Sequence, residues 1–358
     1  MQIQLDILKL YKSSFKSKKS AISYLYHLNK YCDKDVMSLT KFSQREAEDR
    51  LIQFIVANKE AGMHWGALHN YVAAVAKFYL ISDTPLNLKR VNRFMPECTK
   101  LVKDRSYTRE EIQSILDISS ERTKAVVLLL ASTGMRIGGL SPLRRADLED
   151  KDDIYKITVY SNTRQEYFTY CTTECKKALD TYFQIRERHG EILTDKTPVI
   201  REQYNTRNYL SVKYPKFTSI ASIEFILKEI EERAGIRTRI KRTDNQVGIP
   251  RKDVMLAHGF RKFFNTQPVS ARINPLIKEG LMGHRIGLEE SYYRPMEEDI
   301  QAEYEKAIPF LTIDPNQRLK KELTDERKKI TKLEALLDRI DTLEMKLNER
   351  ERASYQIS

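Results

Sequence analysis

Residues 255–295 read MLAHGFRKFFNTQPVSARINPLIKEGLMGHRIGLEESYYRP. The stretch holds a His-x-x-Arg pair, His258 and Arg261, then Gly283-His284, then two adjacent tyrosines, Tyr292 and Tyr293. Two imidazoles, a guanidinium and a phenol this close in sequence suit the transfer of a phosphoryl group to a tyrosine. The phenol can attack a phosphodiester, and the guanidinium can hold two non-bridging oxygens bidentately. The imidazoles can move or share protons. A lone His-x-x-Arg is common and carries nothing; the ordered set is what points to this chemistry.

That chemistry calls for a second guanidinium, and residues 126–148, VVLLLASTGMRIGGLSPLRRADL, supply one. An apolar helical run ends at Thr133-Gly134, glycine breaks the helix, and Arg136 is presented before Leu140 and Leu143 resume the apolar pattern. Taken alone, this would be a surface arginine between two core helices. Taken in order, the two blocks resemble those of the tyrosine recombinases, the phage integrase family: T-G-(L/M)-R followed by H-x-x-R, then (L/M)-G-H, then Y. The resemblance is to the archaeal and Xer-like integrase type. It implies that Arg136, Arg261 and His284 hold a scissile phosphate, that His258 exchanges a proton, and that Tyr293, nine residues after His284, is the nucleophile. Tyr292 is the alternative. The family often has an acidic residue three after the first arginine; Gly139 stands there.

The chain has 358 residues, long enough for two domains with separate cores. Its net charge of +12 points to a polyanion, nucleic acid ahead of a membrane surface. Cys32, Cys98, Cys171 and Cys175 are too few and too scattered for a disulfide framework, and Cys171 and Cys175 lack a second pair at zinc spacing. Buried or half-buried thiols are expected. With no apolar run of transmembrane length and no signal-peptide core, a cytoplasmic location is expected. No metal or nucleotide cofactor is implied.

Residues 1–104 read as helices only, over 19–31, 45–58, 64–81 and 85–93. Ser43 and Glu46 form a capping box before the second of these. In the first, Ile22, Leu25, Tyr26 and Leu28 recur at helical spacing. Four such helices resemble the SAM-like core-binding domain that precedes the catalytic domain in this family. This third of the chain holds 17 Lys and Arg against 10 Asp and Glu. The excess suits a clamp on duplex phosphates, although solubility alone also calls for charge.

After a linker at 96–103, Thr108 and Glu111 cap the first helix of a second domain. Residues 150–160 alternate like a strand, and 167–171 return across a turn at 162–165, so a hairpin is expected. In the family a lysine at this hairpin protonates the departing 5′ oxygen; here the matching position reads as Arg164. Arginine keeps the charge but cannot readily give up a proton, while Lys156 lies in the strand and should point elsewhere. Helices follow over 173–188, 221–234 and 298–310. The basic run 237–252 suits phosphate contacts in a loop.

Residues 314–358 differ in kind. Leu319, Leu323, Ile330, Leu333, Leu337, Ile340 and Leu347 follow four-three spacing, with Glu326 and Glu344 interrupting. A long amphipathic helix is expected, forming a coiled coil between protomers or else packing on its own domain. The resemblance does not reach this tail. The reading is therefore of a mainly α protein in three parts: a helical core-binding domain at 1–104, a helix-rich catalytic domain with a small antiparallel sheet at 105–313, and a helical tail at 314–358. Its function is expected to be site-specific recombination of double-stranded DNA, as a tetramer on DNA and as a dimer through the tail. A type IB topoisomerase, or a catalytically weak DNA-binding or architectural protein, would share much of this pattern.

Overall fold

The computed structural model describes residues 2–98, 104–236, 252–284 and 295–355. Of these, residues 2–98 belong to one compact unit and the described residues from Asp104 onward to a second. Tyr292, Tyr293 and all but the last residue of the basic run at 237–252 lie outside the described residues. No described helix is long and apolar enough to cross a membrane.

The first unit contains α1 (Gln2–Ser13), α2 (Lys18–Tyr31), a short 3-10 turn (Val36–Lys41), α3 (Gln44–Glu60), α4 (Trp65–Ile81) and α5 (Leu88–Asn92). The Ser43–Glu46 capping box forms with both of its reciprocal bonds, which satisfies two amide donors that the first turn of α3 would otherwise leave open. Leu28, Leu51, Ile55, Leu68, Val75 and Phe78 close the core. Two features differ from the sequence reading. Helix α1 was not anticipated; it is anchored by the buried Tyr11, whose hydroxyl donates to the Ala74 carbonyl at 3.1 Å. In α2, Leu28 is buried, but Ile22 and Tyr26 face solvent at 68% and 56% exposure. Helical spacing identifies a stripe but does not say which edge of it meets a neighbour.

The second unit is built on α7 (Glu121–Thr133), buried along nearly its whole length. It is flanked by α6 (Arg109–Asp117), α8 (Ile137–Leu140) and a three-stranded antiparallel sheet, β1 (Leu148–Lys151), β2 (Ile154–Val159) and β3 (Tyr167–Tyr170), in that order. The expected hairpin is β2–β3, with Ile157 opposite Thr169. The single strand expected over 150–160 is instead divided, because Asp152 adopts a left-handed φ of 58° and turns the chain back between β1 and β2. Aspartate is among the few residues that tolerate this conformation.

Helices α9 (Thr173–Arg188), α10 (Tyr209–Lys213), α11 (Ile220–Arg233), α12 (Leu256–Ser270), α13 (Pro275–Leu281) and α14 (Glu297–Leu311) complete the unit. Cys171 and Cys175 are buried thiols. Helix α14 packs on its own unit: Tyr304 is fully buried and donates to the Ser132 carbonyl of α7 at 2.7 Å. The buried carboxylate of Glu174 then accepts the amides of Ile313 and Asp314 at 2.8 and 3.1 Å, fixing the entry to α15 (Pro315–Tyr355). Along α15, Leu319, Leu323, Ile330, Leu333, Leu337 and Ile340 remain 50–59% exposed. The stripe is therefore not covered by the unit it extends from.

Candidate active site

Two glycine turns, 149 positions apart in the chain, create the site. Gly134 closes α7 at φ 59°, and its amide bonds back to the Leu130 carbonyl. Gly283 closes the turn after α13 at φ 66°. Glycine is required at both, for conformation and for space. A Cβ on Gly134 would enter the Phe264 ring, with atoms at 2.5 to 2.9 Å, and one on Gly283 would enter the ring of Tyr167.

Arg261 joins the two turns. Phe260, Phe263 and Phe264 are fully buried and bind α12 to the core, which places the guanidinium where only 6% of the residue remains exposed. Its Nη1 donates to the Gly134 carbonyl at 2.5 Å, and its Nη2 donates to the Met282 carbonyl at 2.8 Å and to His284 Nε2 at 2.6 Å. Arg136 approaches from the other side. It stands as the N-cap of α8, exposed, with Nη1 3.5 Å from the Gly283 carbonyl. Among the described residues, neither guanidinium has a carboxylate within ion-pair distance. Burial first, and the neighbouring Arg136 second, push the Arg261 guanidinium below its ordinary value. Two cations held side by side by neutral carbonyls form a site prepared for an anion.

His284 completes the cluster, its Nδ1 2.5 Å from Glu279 Oε2. His258 lies one turn before Arg261 on α12 and is exposed. Partial burial lowers its tendency to hold a proton, and Lys262 lowers it further, against an opposite pull from Asp104. Lys262 is itself held by Asp104, at 2.6 Å from its carboxylate. Gly259 lets α12 lie flat on Tyr107, since a Cβ there would meet the Tyr107 ring and Val254.

Arg164 sits exposed in the turn between β2 and β3, and among the described residues no hydrogen bond or ion pair ties it to the cluster. Lys156 points away from the cluster and pairs with Glu297 at 2.5 Å and Glu149 at 3.3 Å. The structure thus brings together Arg136, Arg261 and His284, with His258 on the same helix as Arg261. Tyr293 lies outside the described residues.

Three residues here escaped the sequence reading. Tyr167 of β3 packs its ring on Gly283, and burial pushes its phenol up to about 12, although Arg261 and then Arg136 oppose that rise. Among the described residues its buried hydroxyl has no hydrogen-bond partner, and Arg261 is the cation acting on it most strongly. Tyr167 is therefore a packing neighbour of the turn that the arginines share. Glu279 had a weak signal, a carboxylate five residues before the histidine. Val159 explains Gly139: a Cβ there would lie 2.6 Å from Val159 Cγ1, so β2 occupies the space that an acidic side chain would need.

The chain resembles known proteins in sequence and in fold. Residues 105–295 match the model of the phage integrase family. The fold is similar to that of lambda integrase (residues 75–356), solved as a dimer bound to a COC' core site: 15% identity over 82% of this chain and 95% of that one, TM-score 0.52. It is also similar to the lambda integrase tetramer bound to a Holliday junction (15% identity, 82% and 77% covered, TM-score 0.51). A third is the Tn1549 transposon integrase in complex with transposon right end DNA (13% identity, 84% and 98% covered, TM-score 0.51). No curated protein sequence matches.

The packing of Tyr167 on Gly283 can be tested. Gly283→Ala adds both a left-handed alanine and a clash, and should lower stability by about 1–3 kcal/mol in urea unfolding. In a Tyr167→Ala background the same substitution should cost measurably less, because the ring that the new methyl would strike is gone. Equal costs in the two backgrounds would place the strain in the backbone alone.

Proposed function

The chain belongs to the phage integrase family and is a tyrosine-type DNA recombinase; from that premise we propose that it cuts and rejoins double-stranded DNA at specific sites through a 3′-phosphotyrosyl intermediate. The observation that carries this is the pair of guanidiniums, Arg136 and Arg261, held by carbonyls at the Gly134 and Gly283 turns with no carboxylate of the described residues within ion-pair distance. Phosphate is the anion this arrangement suits, because each guanidinium can present two parallel donors to non-bridging oxygens.

In this reading Tyr293 attacks the scissile phosphate, and the 5′ oxygen departs and takes a proton from solvent to become a hydroxyl. Arg136 and Arg261 favour the pentavalent transition state, in which negative charge builds on the equatorial oxygens. His284 contacts the same phosphate, and His258 exchanges the proton of the attacking phenol. Arg164, at the hairpin turn, stabilises the departing oxygen electrostatically in place of the family's lysine. Because the bond energy is retained in the phosphotyrosine, the chemistry asks for no metal or nucleotide. Residues 1–104 act as the clamp on the duplex, 105–313 as the catalytic domain, and 314–358 as an assembly helix. The dimer and the tetramer named for lambda integrase on DNA support an oligomer of this chain on DNA.

Tyr293→Phe should abolish covalent protein–DNA adducts on a nicked suicide duplex bearing the target site, while retention of the duplex in a gel shift is nearly unchanged. Adducts from Tyr293→Phe but none from Tyr292→Phe would move the nucleophile by one residue.

Arg164→Ala should slow cleavage by about 100-fold or more, the range for loss of a group acting on a leaving oxygen. A bridging 5′ sulfur, a better leaving group, should restore most of that rate. Normal cleavage of the ordinary substrate by Arg164→Ala would remove Arg164 from the mechanism.

Removal of residues 315–358 should lower the association state seen in sedimentation at equal concentration and moderate salt, and should leave cleavage of a single site intact. A helix with an apolar stripe half exposed needs a partner to bury it. If the full chain and the truncation sediment alike as monomers, assembly depends on DNA alone.

A further inference from the structure

The imidazole of His284 is gripped from both sides. Nε2 lies 2.6 Å from Arg261 Nη2, and Nδ1 lies 2.5 Å from Glu279 Oε2. A guanidinium offers only donors. Nε2 must therefore present its lone pair to Arg261, and the ring hydrogen sits on Nδ1, donating to the carboxylate. The charged groups around this ring come from three elements. Glu279 and Lys278, the latter 3.2 Å from the other oxygen of Glu279, belong to α13; Arg261 belongs to α12; and Arg136, from α8, reaches the Gly283 carbonyl beside the ring. Among the described residues, the Tyr167 phenol of β3 packs against Gly283 beside the ring. Burial of the Glu279 carboxyl favours its neutral form, but the bonds from His284 and Lys278 outweigh this and hold it below the usual carboxylate range, so it is an anion.

This hydrogen arrangement suits the contact with Arg261 and is wrong for a contact with phosphate. A lone pair on Nε2 would face the oxygen of an incoming phosphate and repel it. We infer that Glu279 is a positioning residue that converts His284 from an acceptor for Arg261 into a cationic donor toward the phosphate. The inference rests on the phosphate-binding reading of the Arg136–Arg261 site. When a phosphate oxygen takes over the Nη2 hydrogen of Arg261, Nε2 loses its donor. One proton is taken up there from solvent, no heavy-atom bond changes, and the ring becomes an imidazolium that gives Nε2–H to phosphate and Nδ1–H to Glu279. The carboxylate does two things for this state: it fixes the ring orientation through Nδ1, and it supplies the negative charge that makes a third cation tolerable beside Arg136 and Arg261. A glutamine at 279 would keep the hydrogen bond and the orientation but not the charge. That separates the electrostatic role from a merely structural one.

The test reads the ring directly in the full-length chain, labelled with nitrogen-15 at histidine and with the His284 signals assigned by their loss in His284→Gln. Without added anion near neutral pH, Nδ1 should be protonated and Nε2 bare. Inorganic phosphate, added until its own phosphorus shift shows saturation, should protonate both nitrogens. In Glu279→Gln the ratio of imidazolium to neutral ring at the same pH and saturation should fall about tenfold, the effect of one charge at hydrogen-bond distance. Glu279→Asp should recover part of it, and unchanged signals from the other histidines report that the variants are folded. The inference is overturned if His284 carries its hydrogen on Nε2 in the free chain, if saturating phosphate leaves the ring neutral, or if Glu279→Gln behaves as wild type. Failure of the strand-transfer reading would appear elsewhere, as absence of adduct from the wild-type chain, whatever the ring signals do.

Discussion

The buried guanidinium of Arg261 is the point on which the second unit depends. It takes the carbonyl of Gly134 at the end of one helix and the carbonyl of Met282 at the end of another, residues 127 and 21 positions away. Carbonyls at helix ends are left without partners by the helix itself. A charged donor that meets two of them satisfies those ends and replaces part of its own lost hydration. Because it uses neutral acceptors, its charge is not cancelled. The same bonds that lock the turns together keep the site electropositive.

The remaining geometry follows from close contacts around that arginine. Glycine at 134 and 283 lets Phe264 and Tyr167 approach to distances that any side chain would forbid. The sheet enters through two of its residues: Tyr167 of β3 supports the Gly283 turn, and Val159 of β2 fills the space beside Gly139. At 139 a glycine leaves the space beside it to Val159 of β2, with no room for an acidic side chain, and Arg136 rests on a backbone carbonyl. The site is therefore held by packing and carbonyl dipoles more than by ion pairs. Ion pairs instead surround it, with Lys262 on Asp104 and Lys156 on Glu297.

Function places further demands on the end of the chain. Helix α14 is bound in cis by Tyr304 and the α7 carbonyl it meets, and Glu174 ties down the next two amides. Beyond that clamp α15 runs as a single helix with its apolar stripe in solvent. The clamp means that the start of α15 is fixed by the second unit. A partner bound to the stripe would in turn be positioned relative to the active site.

What the sequence by itself determined is the family, through its ordered motifs, and most of the helices. The order Arg136, His258, Arg261, His284 was legible because two motif blocks in this order, with this internal spacing, are rare by chance. Helices such as α3, α7 and α9 were legible because caps and apolar periodicity act within a few residues. Only the tertiary structure decided how those groups meet. Nothing local to residues 131–137 says that the Gly134 carbonyl will be bonded from residue 261, and nothing in β3 marks Tyr167 as the floor of a turn more than a hundred residues on. The division of the 150–160 strand and the exposed edge of α2 had the same origin. Alternation and helical spacing report which faces are apolar, but which face is covered depends on neighbours that arrive from distant parts of the chain. Glu279 lies between the two cases: its distance from His284 in sequence was visible, but its bearing on the hydrogen of that imidazole appeared only when Arg261 was found on the other side.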